Sequence, residues 1–430
     1  MKVTKYPSKE AWSQLLSRPA FERENLLGIV RPIVEQVRDG GDDAIRELEA
    51  RFDHCELQQI KVSAEEFSLA ENEVDVALKE AIELAADQIR AFHKAQKMEP
   101  KVVESCPGVR CWQESRAIEK VGLYIPGGRA PLFSTVLMLA LPAQIAGCNQ
   151  VVLCTPPDTQ GKINPAILYA AQLAGVTEVF KVGGAQAVAA MAYGTESIPK
   201  VYKIFGPGNQ FVTAAKQLVS LRDCAIDMPA GPSEVEVLAD DTANPAFVAA
   251  DLLSQCEHGP DSQAILITTS ERLVDLVLLE IESQLAALPR KDIATQSLSH
   301  SRILLVKDVA EAIEMTNRYA PEHLIIQMEN YSELVPLVHN AGSVFLGLYS
   351  CESAGDYASG TNHTLPTNGY AKAYSGVNLD SFIRKVTFQE LTAQGIRRLG
   401  PAIETMAAAE LLDGHKNAVS VRLKEVNNKK

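Results

Sequence analysis

The stretch Val121-Gly-Leu-Tyr-Ile-Pro-Gly-Gly128 is a short apolar run that ends in a glycine turn, and an apolar helical stretch follows it to Gly147. Residues 151–155 form the next strand, 163–174 a helix, and 178–182 a strand that again ends in glycines, Gly183-Gly184, before a helix. Residues 202–205 form the fourth strand, closed by Gly206-Pro-Gly-Asn209 and a helix through Val219. Short apolar strands alternating with helices predict βαβ units and a parallel sheet. Outward toward the C-terminus the pattern repeats, with strands at 234–238, 263–268, 302–306, 324–327 and 343–346 and helices between them. The expectation is an α/β chain with two similar units in tandem, although no repeat is legible at the residue level.

On either side the alternation stops. Residues 1 to about 100 read as helical, most clearly 64–95, where apolar residues recur at helical spacing. Residues 350–370 are rich in Gly, Ser, Thr and Asn, and a loop of that length in a folded chain is usually functional. Residues 378–430 read as helices, notably 404–412.

With 430 residues, 46% hydrophobic and 22% charged, the chain has the composition of a globular protein, which excludes disordered and collagen-like classes. A net charge of −13 argues against a nucleic-acid partner. The longest apolar run, 136–143, is far short of a bilayer span, and the N-terminus has no apolar core of a signal peptide. A soluble, cytoplasmic protein without a membrane partner is expected. The eight cysteines show no zinc-type spacing and read as reduced, structural residues. Cys148 and Cys154, beside the glycine turns, are read in the same way, not as thiolate nucleophiles.

Strand–glycine–helix junctions lie at the carboxyl edge of a parallel sheet, where helix N-termini favour phosphates. Three such junctions suggest a dinucleotide, yet G-x-G-x-x-G is incomplete, because Phe211 stands where the third glycine belongs. Gln255 and His258 sit at i, i+3 where a helix is stopped by Gly259-Pro260, which puts both on one face. They suit a metal pair, although these residues alone favour a capping or core histidine. Glu322 and His323 adjoin the start of a strand and could supply a base and a proton relay, or could be a surface pair. Asp356, Asn362 and His363 fall in the 350–370 loop, where an Asx turn accounts for Asp356 as well as a metal does. Glu410 and His415 have no local signal, with Gly414 read as ending the helix before His415.

Together the segments GLYIPGG, VGGAQAVAA, KIFGPGN, DMPAGPSEV, LLSQCEHGPDSQ, APEHLII, SAGDYASGTNHTLPTNGY and HKNAV resemble the histidinol dehydrogenase family, in that family's order from about residue 120 to 420. The resemblance implies oxidation of L-histidinol to L-histidine through histidinaldehyde with two NAD. It implies Zn2+ held by Gln255, His258, Asp356 and His415, with the substrate's imidazole and amine completing the coordination. His323 is then general base in both hydride transfers, and Glu322 activates the water that attacks the aldehyde. Ser233, Glu410, His323 and the zinc ligands match substrate positions, and Tyr124, Gln186 and Asn209 match NAD positions.

The resemblance also implies two incomplete Rossmann-like α/β/α domains plus helical terminal segments. It divides the chain into 20–123 with 232–377 (metal and catalysis), 124–231 (NAD), 1–19 with 378–404 (dimerisation) and 405–430 (a tail completing the partner's site in a homodimer). The competing readings are a metal-dependent hydrolase and an NAD-dependent dehydrogenase of another amino alcohol.

Overall fold

Glu234–Ala239 is EVEVLA and Gln263–Thr268 is QAILIT, and every residue of both is buried. Strands this continuous belong inside a parallel sheet covered on both faces. In the computed structural model, which describes residues 1–19, 23–127, 130–229 and 231–428, they lie near the centre of a six-stranded parallel sheet. Its order is Lys2–Lys5, Arg302–Leu305, Gln263–Thr268, Glu234–Ala239, His323–Gln327, Ser343–Leu346. Side chains alternate across it. Val235, Val237, Leu266 and Ile325 pack with Val248 and Leu252 on one face. Leu238, Ile265, Leu304 and Ile326 pack with Trp12 and Tyr319 on the other. Gly128 of the first glycine turn, Ala230 and the terminal Lys429-Lys430 lie outside the described residues.

A second parallel sheet runs Glu178–Lys181, Gln150–Thr155, Lys120–Tyr124, Lys203–Phe205, Ala225–Ile226. Leaving aside the added edge strand Lys2–Lys5, the chain in both sheets begins at a central strand, adds two neighbours on one side and then crosses to the other. The two α/β units therefore share a strand order, so the similarity between them is topological. In the five-stranded sheet the crossing point lies between Lys120–Tyr124 and Lys203–Phe205. Gly206 follows the latter strand at φ +127°, and a Cβ there would collide with the Tyr124 carbonyl oxygen, so only glycine lets these two turns approach.

Both sheets belong to one compact unit, residues 1–95 and 118–382. A second unit, 96–117 and 383–430, holds an antiparallel sheet ordered Ile383–Leu391, Val109–Ala117, Val103–Cys106 and the helices Ala393–Ala409 and Asp413–Asn428. Trp112 and Phe388 are cross-strand partners there, with rings stacked at 5.4 Å. Among the described residues no helix is long and apolar enough to cross a membrane.

Several local expectations are corrected. The N-terminal region is not wholly helical, since Lys2–Lys5 is an edge strand. The 64–95 stretch is two helices, Ala64–Glu73 and Val76–Lys94, because the Asp75 side chain accepts from the Ala77 N–H and starts a new helix. The C-terminal region includes the strand Ile383–Leu391, whose largely exposed, charged sequence IRKVTFQEL hides it from a search for apolar runs. Within 350–370 lies a short helix, Glu352–Tyr357, so Asp356 is helical. Gly414 does not end a helix: it and His415 sit in the first turn of Asp413–Asn428.

Candidate active site

The geometry is built on the backbone of one residue, Glu234. Glu234 begins its strand beside the strand His323–Gln327, with His323 paired to Val235. The Glu234 N–H donates to Glu322 Oε2 at 2.8 Å, and the Glu234 carbonyl lies 3.1 Å from His323 Nδ1. A carbonyl only accepts, so Nδ1 carries a proton, and Nε2, 3.6 Å from Asp356 Oδ1, is the nitrogen that loses and regains the second one. Both residues are buried, which discards the surface-pair reading. They stand at the amino ends of their strands, whereas the glycine turns stand at carboxyl ends. Ala320, left-handed at φ 54°, ends the helix Val309–Tyr319, and Pro321 then leads into Glu322.

Around the imidazole are three carboxyls, with Glu322 Oε2 at 3.6 Å and Glu352 Oε1 at 3.9 Å from Nδ1, and Asp356 facing Nε2. Burial alone would lower the histidine pKa. The attraction of Glu352, Glu322 and Asp356 outweighs it and holds His323 well above its ordinary range. Burial pushes Glu322 up to about 8, opposed by His323. Burial would also raise Asp356, but the facing His323 imidazole keeps it below the usual carboxylate range.

Gln255 sits near the end of the buried helix Pro245–Cys256, with Nε2 3.5 Å from both Glu322 Oε2 and His323 Nδ1. Its buried Oε1 meets no hydrogen-bond partner among the described residues. His258 lies just past that helix and is exposed as a residue. One ligand atom each from His258, Glu352 and Asp356 falls within 4.8 Å of the others. An imidazole, carboxylates and an orphaned amide oxygen form a donor set suited to zinc.

Glu352 was not singled out in the sequence. Its only signal there is an acid four residues before Asp356, visible once 352–357 is known to be helical. His363 anchors that helix, with Nδ1 at 2.9 Å from the Asp356 carbonyl and Nε2 at 3.1 Å from Thr135 Oγ1. Ser233 directly precedes Glu234, and its carbonyl accepts from the Gln263 N–H. Glu410 and His415 are exposed and belong to the second compact unit, so they are not among the side chains gathered in the first.

The three nucleotide candidates are already engaged within the protein. Gly184 N–H donates to the Tyr124 hydroxyl at 3.1 Å. Gly183 N–H and Gln186 Nε2 both donate to Glu49 Oε1, at 3.0 and 2.8 Å. Burial first and then Asp53 push Glu49 up to about 8. Asn209 caps its own helix through Phe211 and Val212, and the Gly206 N–H donates to Asp227, which pairs with Lys216. At two of the three turns, then, one of the protein's own carboxyls accepts a glycine N–H. A cavity of about 510 Å³ opens beside Asn209, reaching Arg18, Pro232, Glu234 and Gln263. All eight cysteines are free, and burial pushes Cys148 up to about 12 and Cys154 well above the thiol range, so neither is poised as a nucleophile.

Glu236, two residues after Glu234 on the same strand, is wholly buried, its Oε2 meets no hydrogen-bond partner among the described residues, and burial raises its pKa from 4.5 to about 8. Because the folded value lies above the unfolded one, the native state holds a proton that the unfolded chain releases. Its contribution to stability therefore declines as pH rises from about 4.5 to about 8. Glu236→Gln is expected to raise the thermal midpoint relative to wild type more at pH 8 than at pH 5. Equal shifts at both pH values would remove Glu236 from the titration.

The sequence profile of the family described as histidinol dehydrogenase matches residues 16–423. A histidinol dehydrogenase of Bacteroides fragilis (strain YCH46) is 66% identical over 426 residues, covering 99% of this chain and all of that one. One from Escherichia coli (strain K12) is 56% identical over 417 residues, 96% of this chain and 95% of the relative. The crystal structure of histidinol dehydrogenase from Elizabethkingia anophelis is similar with a TM-score of 0.98 and 55% identity, covering 99% of each chain. With a profile match across nearly its whole length and relatives this similar, the chain belongs to the histidinol dehydrogenase family, whose members are NAD-dependent oxidoreductases.

Proposed function

We propose that this chain oxidises L-histidinol to L-histidine through L-histidinaldehyde, passing two hydrides to two NAD in a cytoplasmic setting. The observation that carries the reading is the Glu234 backbone, whose N–H and carbonyl hold Glu322 and His323 together beside Gln255, His258 and Asp356. Gln255, His258 and Asp356 would hold zinc, with His415 as fourth ligand and Glu410 on the substrate ammonium, both supplied by the partner subunit of a homodimer. Bound zinc polarises and orients the substrate without changing its own redox state.

His323, with Nδ1–H committed to the Glu234 carbonyl, takes the hydroxyl proton on Nε2 as hydride leaves the carbinol carbon. Aldehyde oxidation needs a hydrate first. Glu322, held by the Glu234 N–H, removes a proton from the attacking water, and His323 again accepts the hydroxyl proton in the second hydride transfer. Ser233 would contact the substrate at the amino end of the same strand. Tyr124, Gln186 and Asn209 would receive NAD at the carboxyl edge of the five-stranded sheet. Carboxyl-filled glycine turns there support loose binding, since phosphate must compete with Glu49 and Asp227.

Glu322→Gln keeps the hydrogen bond from Glu234 but removes the base. It is expected to slow the aldehyde step at least about tenfold more than the alcohol step, measured separately with histidinaldehyde and histidinol. Equal slowing of the two steps would remove the water-activating role.

A further inference from the structure

Arg18 lies far from the catalytic pair in sequence, and its guanidinium is spent on the two segments that carry that pair. Nε and Nη2 form a fork on the Glu234 carboxylate, with Nη2 at 2.7 Å from Oε2. Nη2 also donates to the carbonyls of Tyr319 at 2.9 Å and Ala320 at 3.3 Å, and the guanidinium carbon stacks 4.0 Å from the Tyr319 ring centre. The Tyr319 hydroxyl is tied in turn to Gln263 Oε1 at 2.9 Å, and the Asn368 N–H donates to Glu234 Oε1 at 2.7 Å. One side chain thus grips the residue whose peptide holds Glu322 and His323, and also the left-handed helix end two residues before Glu322. Both charges are largely out of water, with side chains 16% and 3% exposed for Arg18 and Glu234.

We infer that Arg18 is a positioning residue, which sets the spacing between the Glu234 peptide and the Glu322–His323 pair and so serves both oxidation steps at once. The inference rests on the reading of Glu322 and His323 as the catalytic pair. An Arg fork fixes two oxygens in one plane, and a lysine cannot reproduce that together with the carbonyl contacts and the stack. A shift of about 1 Å at reacting groups costs up to about a hundredfold in rate.

The test uses the full-length, zinc-loaded enzyme carrying Arg18→Ala, Arg18→Lys, or Arg18→Ala with Glu234→Gln. The double variant removes the buried unpaired carboxylate that Arg18→Ala alone would leave. The expected result is a kcat lowered roughly 10–100-fold with histidinol and with histidinaldehyde alike. KM for histidinol and NAD should stay within about threefold and zinc content should be unchanged, with Lys intermediate and the double variant still slow. Full kcat in the double variant would reduce Arg18 to a charge-balancing role and overturn the inference. A raised KM for NAD at unchanged kcat would overturn it by making Arg18 a ligand contact of the adjoining cavity. Intact turnover in Glu322→Gln and His323→Asn controls would overturn the catalytic reading itself, and this inference with it, whatever Arg18 variants do.

Discussion

His323→Asn is expected to lower kcat of both oxidation steps by about 10²–10⁴-fold, the range that a positioned general base supplies. Asparagine can still donate to the Glu234 carbonyl, so the strand start keeps its hydrogen bond. What it lacks is the second ring nitrogen, the one facing Asp356. The pH profile makes the assignment specific. The carboxyls of Glu352, Glu322 and Asp356 raise the histidine pKa, so the imidazole is protonated at low pH and turnover should climb as it loses its proton. In the variant that rising limb should disappear while KM for histidinol changes little. A variant that keeps the limb and more than a tenth of wild-type kcat would contradict the assignment.

His258→Asn is expected to abolish stoichiometric zinc binding and to reduce histidinol-dependent NADH formation at least about a thousandfold, since the metal's orientation and charge stabilisation go together. The residue is exposed and lies outside the apolar cores, so the thermal midpoint of the metal-free protein should stay near that of metal-free wild type. Metal analysis of the purified variant reads the first effect and a thermal melt the second. Retained zinc with full turnover would remove His258 from the ligand set.

The sequence made some of this plain and hid the rest for physical reasons. Buried parallel strands such as Gln263–Thr268 announce themselves through continuous apolar residues, and the α/β class follows. Strands on the second unit do not, because Ile383–Leu391 and Val109–Ala117 are mostly solvated and rich in charge. Glu322, His323, Gln255, His258 and Asp356 were each visible as chemically able residues. That Glu322 and His323 meet the backbone of one residue depends on the register of His323–Gln327 against Glu234–Ala239, a pairing of residues about 88 apart in sequence that no local pattern encodes. Glu352 stayed hidden because a loop-like composition masked the turn of helix that brings it beside Asp356. The glycine turns were legible as turns, but their occupation by Glu49 and Asp227 comes from distant segments. Arg18 had no signal of its own, since its importance lies wholly in tertiary contacts.

The central claim, a zinc- and NAD-dependent oxidation of histidinol at the Glu234-held pair, is tested most directly by following NADH from purified protein with L-histidinol before chelation, after it and after zinc is restored. The account predicts two NADH per histidinol with L-histidine as product, loss of the signal on chelation and its return with zinc. NADH formation that survives complete removal of the metal, or that stops at one equivalent with aldehyde accumulating, would contradict it.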